Sequence, residues 1–253
     1  SVSIPATVDT IGARAFSQCT RLTDVDIPHG ITSIEEETFS GCTNLMRVNI
    51  PASVTTIGSR AFSGCTELPR ITIPAKVTSV GSYAFSRCSA LTSIEVAPGN
   101  SSYTSLGGVL FNSTMTTLLA YPNGRTGFYI IPSRVTHIGR EAFSGCTGLS
   151  SVTTHPGVTQ IGEAAFSGCT GLTSITLEPG LSLIERRTFM GCTSLKSISI
   201  PKSITAIGSE AFYGCKELTS VSIPRGVNEI GSTFSGCTGL HSVIFLGDAP
   251  INT

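Results

Sequence analysis

Hydrophobic and polar residues alternate over short stretches throughout the chain. In "LTDVDIP" (22–28), the apolar Val25 and Ile27 alternate with two aspartates. A period of two predicts a short strand with the apolar pair inside and the aspartates outside. Pro28 ends this strand because proline has no N–H to donate to a sheet. The same pattern returns further along, for example in "LTSITL" (172–177).

A second apolar pattern follows each strand. In "VTTIGSRAF" (54–62), apolar residues stand at Val54, Ile57, Ala61 and Phe62. This spacing predicts a short extended piece followed by a tight helical turn. One strand and one turn of this length together form a unit with a single apolar face. A single unit cannot bury that face, so successive units must stack.

The stacking unit recurs at a fixed interval of about 23 residues, which is within the range of known repeat arrays. "IGSRAFSGCTEL" begins at Ile57, and close copies begin at Ile11, Ile138, Ile161 and Ile207. Successive cysteines keep this interval except for one long gap and a slightly shorter last step. The nine cysteines are Cys19, Cys42, Cys65, Cys88, Cys146, Cys169, Cys192, Cys215 and Cys237. A feature repeated at a fixed period belongs to the architecture, so the sequence predicts a single array over residues 1–253.

Both ends of the sequence cut into a repeat. We therefore interpret the chain as a fragment of a longer protein. Terminal repeats of such arrays need a polar cap for solubility. The ends are expected to expose apolar edges, which would allow end-to-end self-association.

The long gap, between Cys88 and Cys146, contains a repeat without cysteine. This irregular, insert-bearing repeat covers residues 97–131. Within it, "GVLFN" and "TTLLAYP" read as two strands joined by a polar turn, which predicts a β-hairpin. The insert is either a structural spacer or a protruding recognition element, since insertions in repeat arrays map to loops on one face. Asn100 and Asn112 stand in N-x-S/T sequons, which are glycan sites only in a secreted eukaryotic protein.

Composition excludes several classes of partner. The formal net charge is zero and only 13% of residues are charged, so no basic footprint for nucleic acid or an anionic membrane surface exists. No apolar run approaches the roughly 18–20 residues that cross a bilayer, and direct membrane insertion is not expected. No signal peptide is visible.

The sequence allows four interpretations of the role of the cysteines. The first is a ladder of small buried residues, since free cysteine is among the most buried residue types. A disulfide between adjacent repeats is the second, although stacked Cβ atoms should lie roughly 4.8 Å apart, farther than the roughly 3.8 Å of a bridge. Zinc is the third, but C-x2-C pairs and regularly placed histidines are absent. A catalytic thiol is the fourth. We predict the structural ladder.

Catalytic motifs are missing. The sequence contains no G-x-S-x-G, H-E-x-x-H or P-loop pattern. Asp24 and Asp26 are paired carboxylates. A general acid needs an apolar pocket, and we predict that these two are instead solvated surface residues. The sequence therefore predicts a protein that is not an enzyme, with no cofactor and no metal site.

The strand pattern "LTDVDI", "LTSIEV", "LKSISI" resembles the L-x-x-L-x-L signature of leucine-rich repeats. The whole unit, I-P-x-x-V-T-x-I-G-x-x-A-F-x-x-C followed by that strand, is similar to the BspA-like, or Treponema-type, repeats. The resemblance implies a right-handed leucine-rich repeat solenoid with about ten turns of this length. A parallel β-sheet would form the concave face, with short extended or helical turns on the convex face and one irregular repeat carrying the hairpin.

The resemblance also implies a function. BspA-like proteins are surface-associated, and several are implicated in adhesion. We expect a non-enzymatic cell-surface or secreted module that recognises a host matrix protein, a cell-surface protein or a glycan on its concave face. The alternative is an intracellular or envelope scaffold for protein–protein interaction.

The outward strand positions indicate where a partner would bind. From residue 150 to 222 these positions are almost wholly Ser and Thr, whereas one strand carries the apolar pair Phe128 and Ile130. Interfaces favour aromatic and arginine anchors within a polar rim. The predicted partner-binding residues are Arg47, Arg70, Glu95, Phe128 and Ile130. The alternative is that Phe128 packs beneath the inserted hairpin.

Overall fold

A computed structural model describes residues 2–247. The chain divides into two compact units, residues 1–115 with 120–125 and residues 116–119 with 126–253. The described residues form short strands and β-turns, and no helix occurs among them. The strands of the first unit are β1 (Val2–Ser3), β2 (Asp24–Asp26), β3 (Ser33–Ile34), β4 (Arg47–Asn49), β5 (Thr56–Ile57), β6 (Arg70–Ile73), β7 (Ser79–Val80), β8 (Ser93–Val96), β9 (Tyr103–Leu106) and β10 (Val109–Asn112). Those belonging wholly or mainly to the second unit are β11 (Thr117–Ala120), β12 (Gly127–Ile130), β13 (His137–Ile138), β14 (Leu149–Thr153), β15 (Gln160–Ile161), β16 (Ser174–Thr176), β17 (Leu183–Ile184), β18 (Ala206–Ile207), β19 (Ser220–Ile223) and β20 (Ser242–Phe245).

Equivalent strands of successive repeats pair in parallel. In the first unit β1, β2 and β4 form one such sheet and β6 and β8 another. In the second unit β12, β14 and β16 form a sheet, as do β19 and β20. The predicted alternation is confirmed, since Val25 of β2 is buried while Asp26 is exposed. The register places Val25 opposite Val48, so each repeat adds its apolar residue to the same inner column.

A second series of two-residue strands follows the first within each repeat. β3, β5 and β7 pair in parallel in the first unit, and β13 and β15 pair in the second. Ile34 and Ile57 are opposite each other in this series, and both are buried. The extended piece predicted before each "GxxAF" segment is therefore confirmed.

The "GxxAFSGC" segment folds as successive β-turns. In residues 58–65, the Ala61 N–H donates to the Gly58 carbonyl at 3.3 Å and the Cys65 N–H donates to the Phe62 carbonyl at 3.2 Å. The third residue of each four-residue turn has a positive φ, 53° at Arg60 and 74° at Gly64. This is the geometry of a type II turn, which favours glycine at that position. The second turn has glycine at this position, Gly64, whereas the first turn has Arg60 there.

Phenylalanine side chains stack through the core of each unit. Rings of adjacent repeats lie 4.8 to 6.1 Å apart, centroid to centroid, with interplanar angles of 14° or less. The first unit stacks Phe16, Phe39, Phe62 and Phe85, and the second stacks Phe143, Phe166, Phe189, Phe212 and Phe234. The repeat spacing imposes this face-to-face arrangement, although isolated aromatic pairs prefer offset or T-shaped packing.

Threonine hydroxyls link one repeat to the preceding one. Thr55 Oγ1 donates to the Thr32 carbonyl at 3.1 Å, and Thr66 Oγ1 donates to the Thr43 carbonyl at 2.9 Å. Thr173 makes the same kind of bond at 3.0 Å in the second unit. The repeated threonines are therefore part of the hydrogen bonding that stacks the repeats, a role that the sequence reasoning missed.

The insert contains a hairpin between β9 and β10. These strands pair antiparallel, with Val109 opposite Leu106. The connecting residues Gly107 and Gly108 have φ values of 55° and 77°, as a two-residue type I′ turn requires. Both strands predicted from "GVLFN" and "TTLLAYP" exist, as β10 and β11, but β9 was missed. Its signal was the Gly-Gly pair, which often marks a hairpin.

Candidate functional site

Two large apolar side chains are exposed side by side on β12. Phe128 is 72% exposed and Ile130 is 62% exposed, the two highest values among the large hydrophobic residues described. Tyr129, between them, packs inward with its ring 6.0 Å from that of Phe143. The period-two geometry of the strand therefore puts Phe128 and Ile130 together on the outward face.

The strands on one side of β12 present small hydroxyl side chains on the same outward face. Phe128 is opposite Ser151 of β14, and Ile130 is opposite Thr153. β16 continues the two columns with Ser174 and Thr176. None of β12, β14 and β16 contains a charged residue, so this sheet of the second unit is a neutral surface with the apolar pair on its edge strand.

Arg47 lies on the outward face of the first unit and is paired within the chain. Its guanidinium donates to both carboxylate oxygens of Asp26 at 3.1 Å and lies 3.4 Å from Asp24. The hydrogen bonds and charge of Asp26 raise the pKa of Arg47. A partner carboxylate at Arg47 would therefore have to compete with two aspartates of the preceding strand.

Arg70 and Glu95 stand on paired strands of the same unit. Arg70 of β6 is exposed and opposite Ser93, while Glu95 of β8 is opposite Thr72. The Glu95 carboxylate accepts hydrogen bonds from the Ser93 hydroxyl and, at 3.4 Å, from the Ser105 hydroxyl of β9. Arg70 takes part in no ion pair among residues 2–247 and keeps its guanidinium in solvent. These three charged candidates belong to the first unit, whereas Phe128 and Ile130 belong to the second.

The cysteines are free thiols that bond to backbone. The Cys65 thiol donates to the Phe39 carbonyl at 3.2 Å, and the Cys169 thiol donates to the Phe143 carbonyl at 3.0 Å. The buried members are Cys42, Cys65, Cys88, Cys146, Cys169, Cys192 and Cys215. Cys19 is exposed and Cys237 is half-buried, so two of the nine thiols depart from the expectation of complete burial.

Burial also sets the acidity of these thiols. It raises the pKa of Cys42 to about 11 and that of Cys88 to about 12. Cys237 differs, because a hydrogen bond with the Cys215 thiol lowers its pKa to about 7. The Cys42 and Cys88 thiols are therefore protonated and unreactive at neutral pH, whereas Cys237 has thiolate character there.

The outer turns carry charge ladders that sequence reasoning missed. In the first unit Glu37 lies between Arg14, at 2.8 Å, and Arg60, at 3.7 Å. In the second, Glu163 lies between Arg140, at 3.3 Å, and Arg186, at 2.7 Å. The hydrogen bond from Arg186 lowers the pKa of Glu163. The sequence did contain a signal for these ion pairs. Oppositely charged residues stand one repeat apart, in the first or second position after the "IG" pair or its "IE" counterpart.

The sequon asparagine Asn100 is hydrogen-bonded through both ends of its side-chain amide. Its Nδ2, the atom that would carry a glycan, donates to the Pro74 and Val77 carbonyls at 2.8 and 3.0 Å. Its Oδ1 accepts from the backbone N–H groups of Ser102 and Tyr103. Asn100 is therefore a structural residue that fixes the start of the insert, and its amide is unavailable for modification in the folded chain.

Residues 2–247 include no group of three or more His, Cys, Asp or Glu side chains placed to hold a metal ion. In the same part of the chain no helix has the length and apolarity needed to cross a membrane. The chemistry that the described surface offers is hydrogen bonding, exposed apolar contact and charge pairing.

A family model described as "BspA type Leucine rich repeat region (6 copies)" matches residues 1–118 and 120–247. The chain belongs to the BspA-type leucine-rich repeat family. The parallel strands, the phenylalanine stacks and the regular repeat spacing are thus the family's repeat architecture in this chain. The resemblance inferred from the strand and "IGxxAF" motifs is confirmed.

Solved structures of bacterial proteins are similar to this BspA-type chain. A leucine-rich cell surface protein from Faecalibacterium prausnitzii is 40% identical with a TM-score of 0.84, covering 93% of this chain and 62% of that one. The pneumococcal vaccine antigen PcpA is 27% identical with a TM-score of 0.78, covering 89% and 55%. A leucine-rich repeat protein from Eubacterium ventriosum, at 24% identity and a TM-score of 0.60, shows the same fold over 89% and 79%. No curated protein matches the chain. This BspA-type chain therefore spans less than two thirds of the first two structures.

Proposed function

We propose that this BspA-type chain is a non-enzymatic binding module of a surface or secreted protein, and that it binds a protein partner through Phe128 and Ile130. The observation that carries the proposal is the exposure of this apolar pair, 72% and 62%, on a strand whose paired neighbour β14 places only Ser and Thr opposite them. Isolated exposed apolar residues are common, but an exposed aromatic beside an exposed aliphatic on a flat polar sheet is a typical interface centre.

The polar surroundings suit this role. Ser151 and Thr153 form a rim of hydroxyl side chains, which water hydrates when no partner is bound. Beside these small residues the Phe128 side chain stays 72% exposed. In the first unit Arg70 and Glu95 are a second, charged group of binding candidates. Arg47 ranks below them, because Asp24 and Asp26 already occupy its guanidinium.

Surface location is supported by similarity. The Faecalibacterium relative is a cell surface protein and PcpA is a vaccine antigen. Adhesion to a host matrix or cell-surface protein is the form of binding that we propose for this chain.

The test is a binding screen against purified matrix proteins, with a glycan array beside it. For any protein that binds, Phe128→Ala with Ile130→Ser should weaken affinity about tenfold or more, because truncation of a hot-spot anchor costs roughly 1–2 kcal/mol or more. Ser174→Ala with Thr176→Ala, two strands away on the same face, is the matched control. Equal affinities of the two double variants, with unchanged circular dichroism, would refute the site. Binding to glycans alone would replace the protein partner with a carbohydrate.

A further inference from the structure

The backbone of β12 has one bonded edge and one open edge. Among the described strands, β12 is hydrogen-bonded to β14 alone and stands at the end of its sheet. The Ile131 N–H donates to the Thr153 carbonyl at 3.0 Å. Because alternate residues of a parallel strand bond to opposite sides, Tyr129 also faces β14, and the N–H and C=O groups of Phe128 and Ile130 face the open edge.

In the regular repeats of this chain, the equivalent strand edge is hydrogen-bonded to the preceding repeat. The Arg47 N–H, equivalent to that of Phe128, donates to the Thr23 carbonyl of the preceding repeat at 3.2 Å. The Asn49 carbonyl, equivalent to that of Ile130, accepts from the Ile27 N–H at 3.2 Å. Each outward residue is therefore bonded to a preceding parallel strand, and an unpaired strand edge is a template for strand addition.

The two exposed side chains belong to the same residues as these edge groups. A strand added beside β12 would bring its outward side chains next to Phe128 and Ile130, at the separation of cross-strand pairs. No charged residue of β12, β14 or β16 is available to pair with a charged segment. An uncharged segment with apolar residues opposite Phe128 and Ile130 is the chemistry that fits.

We propose that the partner binds by adding an extended, uncharged segment in parallel to the open edge of β12. This inference rests on the proposed function and specifies its partner, since affinity would come from backbone hydrogen bonds and selectivity from the apolar pair. Binding of this kind depends little on salt, because no charge is neutralised at the strand.

The probe is a blocked synthetic peptide with the sequence of residues 171–177 and the substitutions Ser174→Val and Thr176→Val, "GLTVIVL", which place valine beside both Phe128 and Ile130. In the parallel register its fifth and seventh N–H groups face β12, and its fourth and sixth face away. N-methylation of the fifth and seventh amides should weaken binding to the full chain about tenfold or more, since two hydrogen bonds are lost. N-methylation of the fourth and sixth amides is the matched control and should change affinity less than about twofold. Equal effects of the two methylation patterns, or no binding of the parent peptide up to about 1 mM, would overturn the proposal.

A variant of the protein tests the backbone hydrogen bonds between the peptide and β12 by changing β12 instead of the peptide. Ile130→Pro removes an N–H that faces the open edge, a place where strands tolerate proline, whereas Ile130→Ser removes only the apolar side chain. Ile130→Pro should weaken peptide binding further than Ile130→Ser does, with thermal unfolding as the check on folding. Equal losses would count against strand addition, and the peptide comparison decides if the proline variant does not fold.

The two proposals can fail separately. Should Phe128→Ala with Ile130→Ser abolish binding of a matrix protein while peptide methylation has no effect, the binding face stands and strand addition is wrong. Should the methylation pattern matter while the double variant binds every matrix protein normally, strand addition stands and the proposed function is wrong.

Discussion

Single residues of this chain are fixed by the repeat above or below them more than by their neighbours in sequence. Cys169 illustrates this, because its thiol bonds to the Phe143 carbonyl of the preceding repeat. Thr38 and Thr188 illustrate it differently. They replace the alanine of "GxxAF" in the two repeats where Glu35 and Glu185 replace the glycine, and their hydroxyls donate to the carbonyls of those glutamates at 2.9 and 2.7 Å.

Replacing a buried thiol should destabilise the protein even when the replacement can still donate a hydrogen bond. Cys169→Ser is expected to lower the free energy of unfolding by roughly 1–3 kcal/mol, because a hydroxyl loses more on leaving water than a thiol does. Urea unfolding measures the change. Cys19→Ser, at an exposed position, is the control, expected within about 0.5 kcal/mol of the parent chain. Equal stabilities of the two variants would contradict the packing of the ladder.

Thiol reactivity should distinguish the ends of the ladder from its middle. Without denaturant, a thiol-specific reagent should label Cys19 and Cys237, and the seven buried thiols only after unfolding. The rate at Cys237 should rise with pH and level off above about 7, because its lowered pKa makes the thiolate the main form there. Mass spectrometry of labelled peptides reports each site. Fast native labelling of Cys88 or Cys169 would show that the ladder is open to solvent.

At the scale of the element, glycines of one repeat are required for different reasons. Gly168 is the third residue of a turn and has a φ of 72°, but a Cβ there would meet nothing closer than 3.8 Å. Gly162 has no such φ, yet a Cβ there would lie 2.6 Å from the Arg140 backbone nitrogen of the preceding repeat. The first glycine serves the turn and the second allows adjacent repeats to approach.

These reasons predict different responses to substitution. Gly168→Ala should destabilise by about 1–2 kcal/mol, the cost of a left-handed conformation, and Gly168→Asn should recover part of it because asparagine tolerates that conformation. Gly162→Ala and Gly162→Asn should both destabilise by more than about 2 kcal/mol, since any Cβ forces the repeats apart. Thermal or urea unfolding of the four variants gives the order. Recovery by asparagine at both positions would mean that sterics between repeats are unimportant.

At the scale of the whole molecule, the expectation of a single array over residues 1–253 stays a prediction. A stacked array in which each repeat contacts its neighbours unfolds cooperatively when its repeats have similar stability. The chain has no tryptophan, so Tyr83→Trp in the first unit and Tyr213→Trp in the second would each give a single local reporter.

Unfolding in urea, followed separately by the two reporters, should give coincident midpoints if the units fold as one array. Circular dichroism of each variant provides the global transition for comparison. Midpoints that differ between Tyr83→Trp and Tyr213→Trp, with each variant as stable as the parent chain, would divide the chain into two independent folding units.

The sequence alone determined the repeat, its strands and its core. Period-two alternation around Val25 and the regular recurrence of Phe and Cys leave one way to bury the apolar face, which is to stack equivalent positions. The same reasoning marked Phe128 and Ile130, because an apolar residue in a polar column is visible without coordinates.

Only the tertiary structure decided what contacts what between repeats. That Phe128 is exposed rather than covered, that Arg47 is held by Asp24 and Asp26, and that β12 ends its sheet all depend on backbone positions across repeats. The lowered pKa of Cys237 has the same origin. Local sequence specifies the conformation of each repeat, whereas solvent exposure and hydrogen-bond partners are set by neighbours that are distant in the sequence.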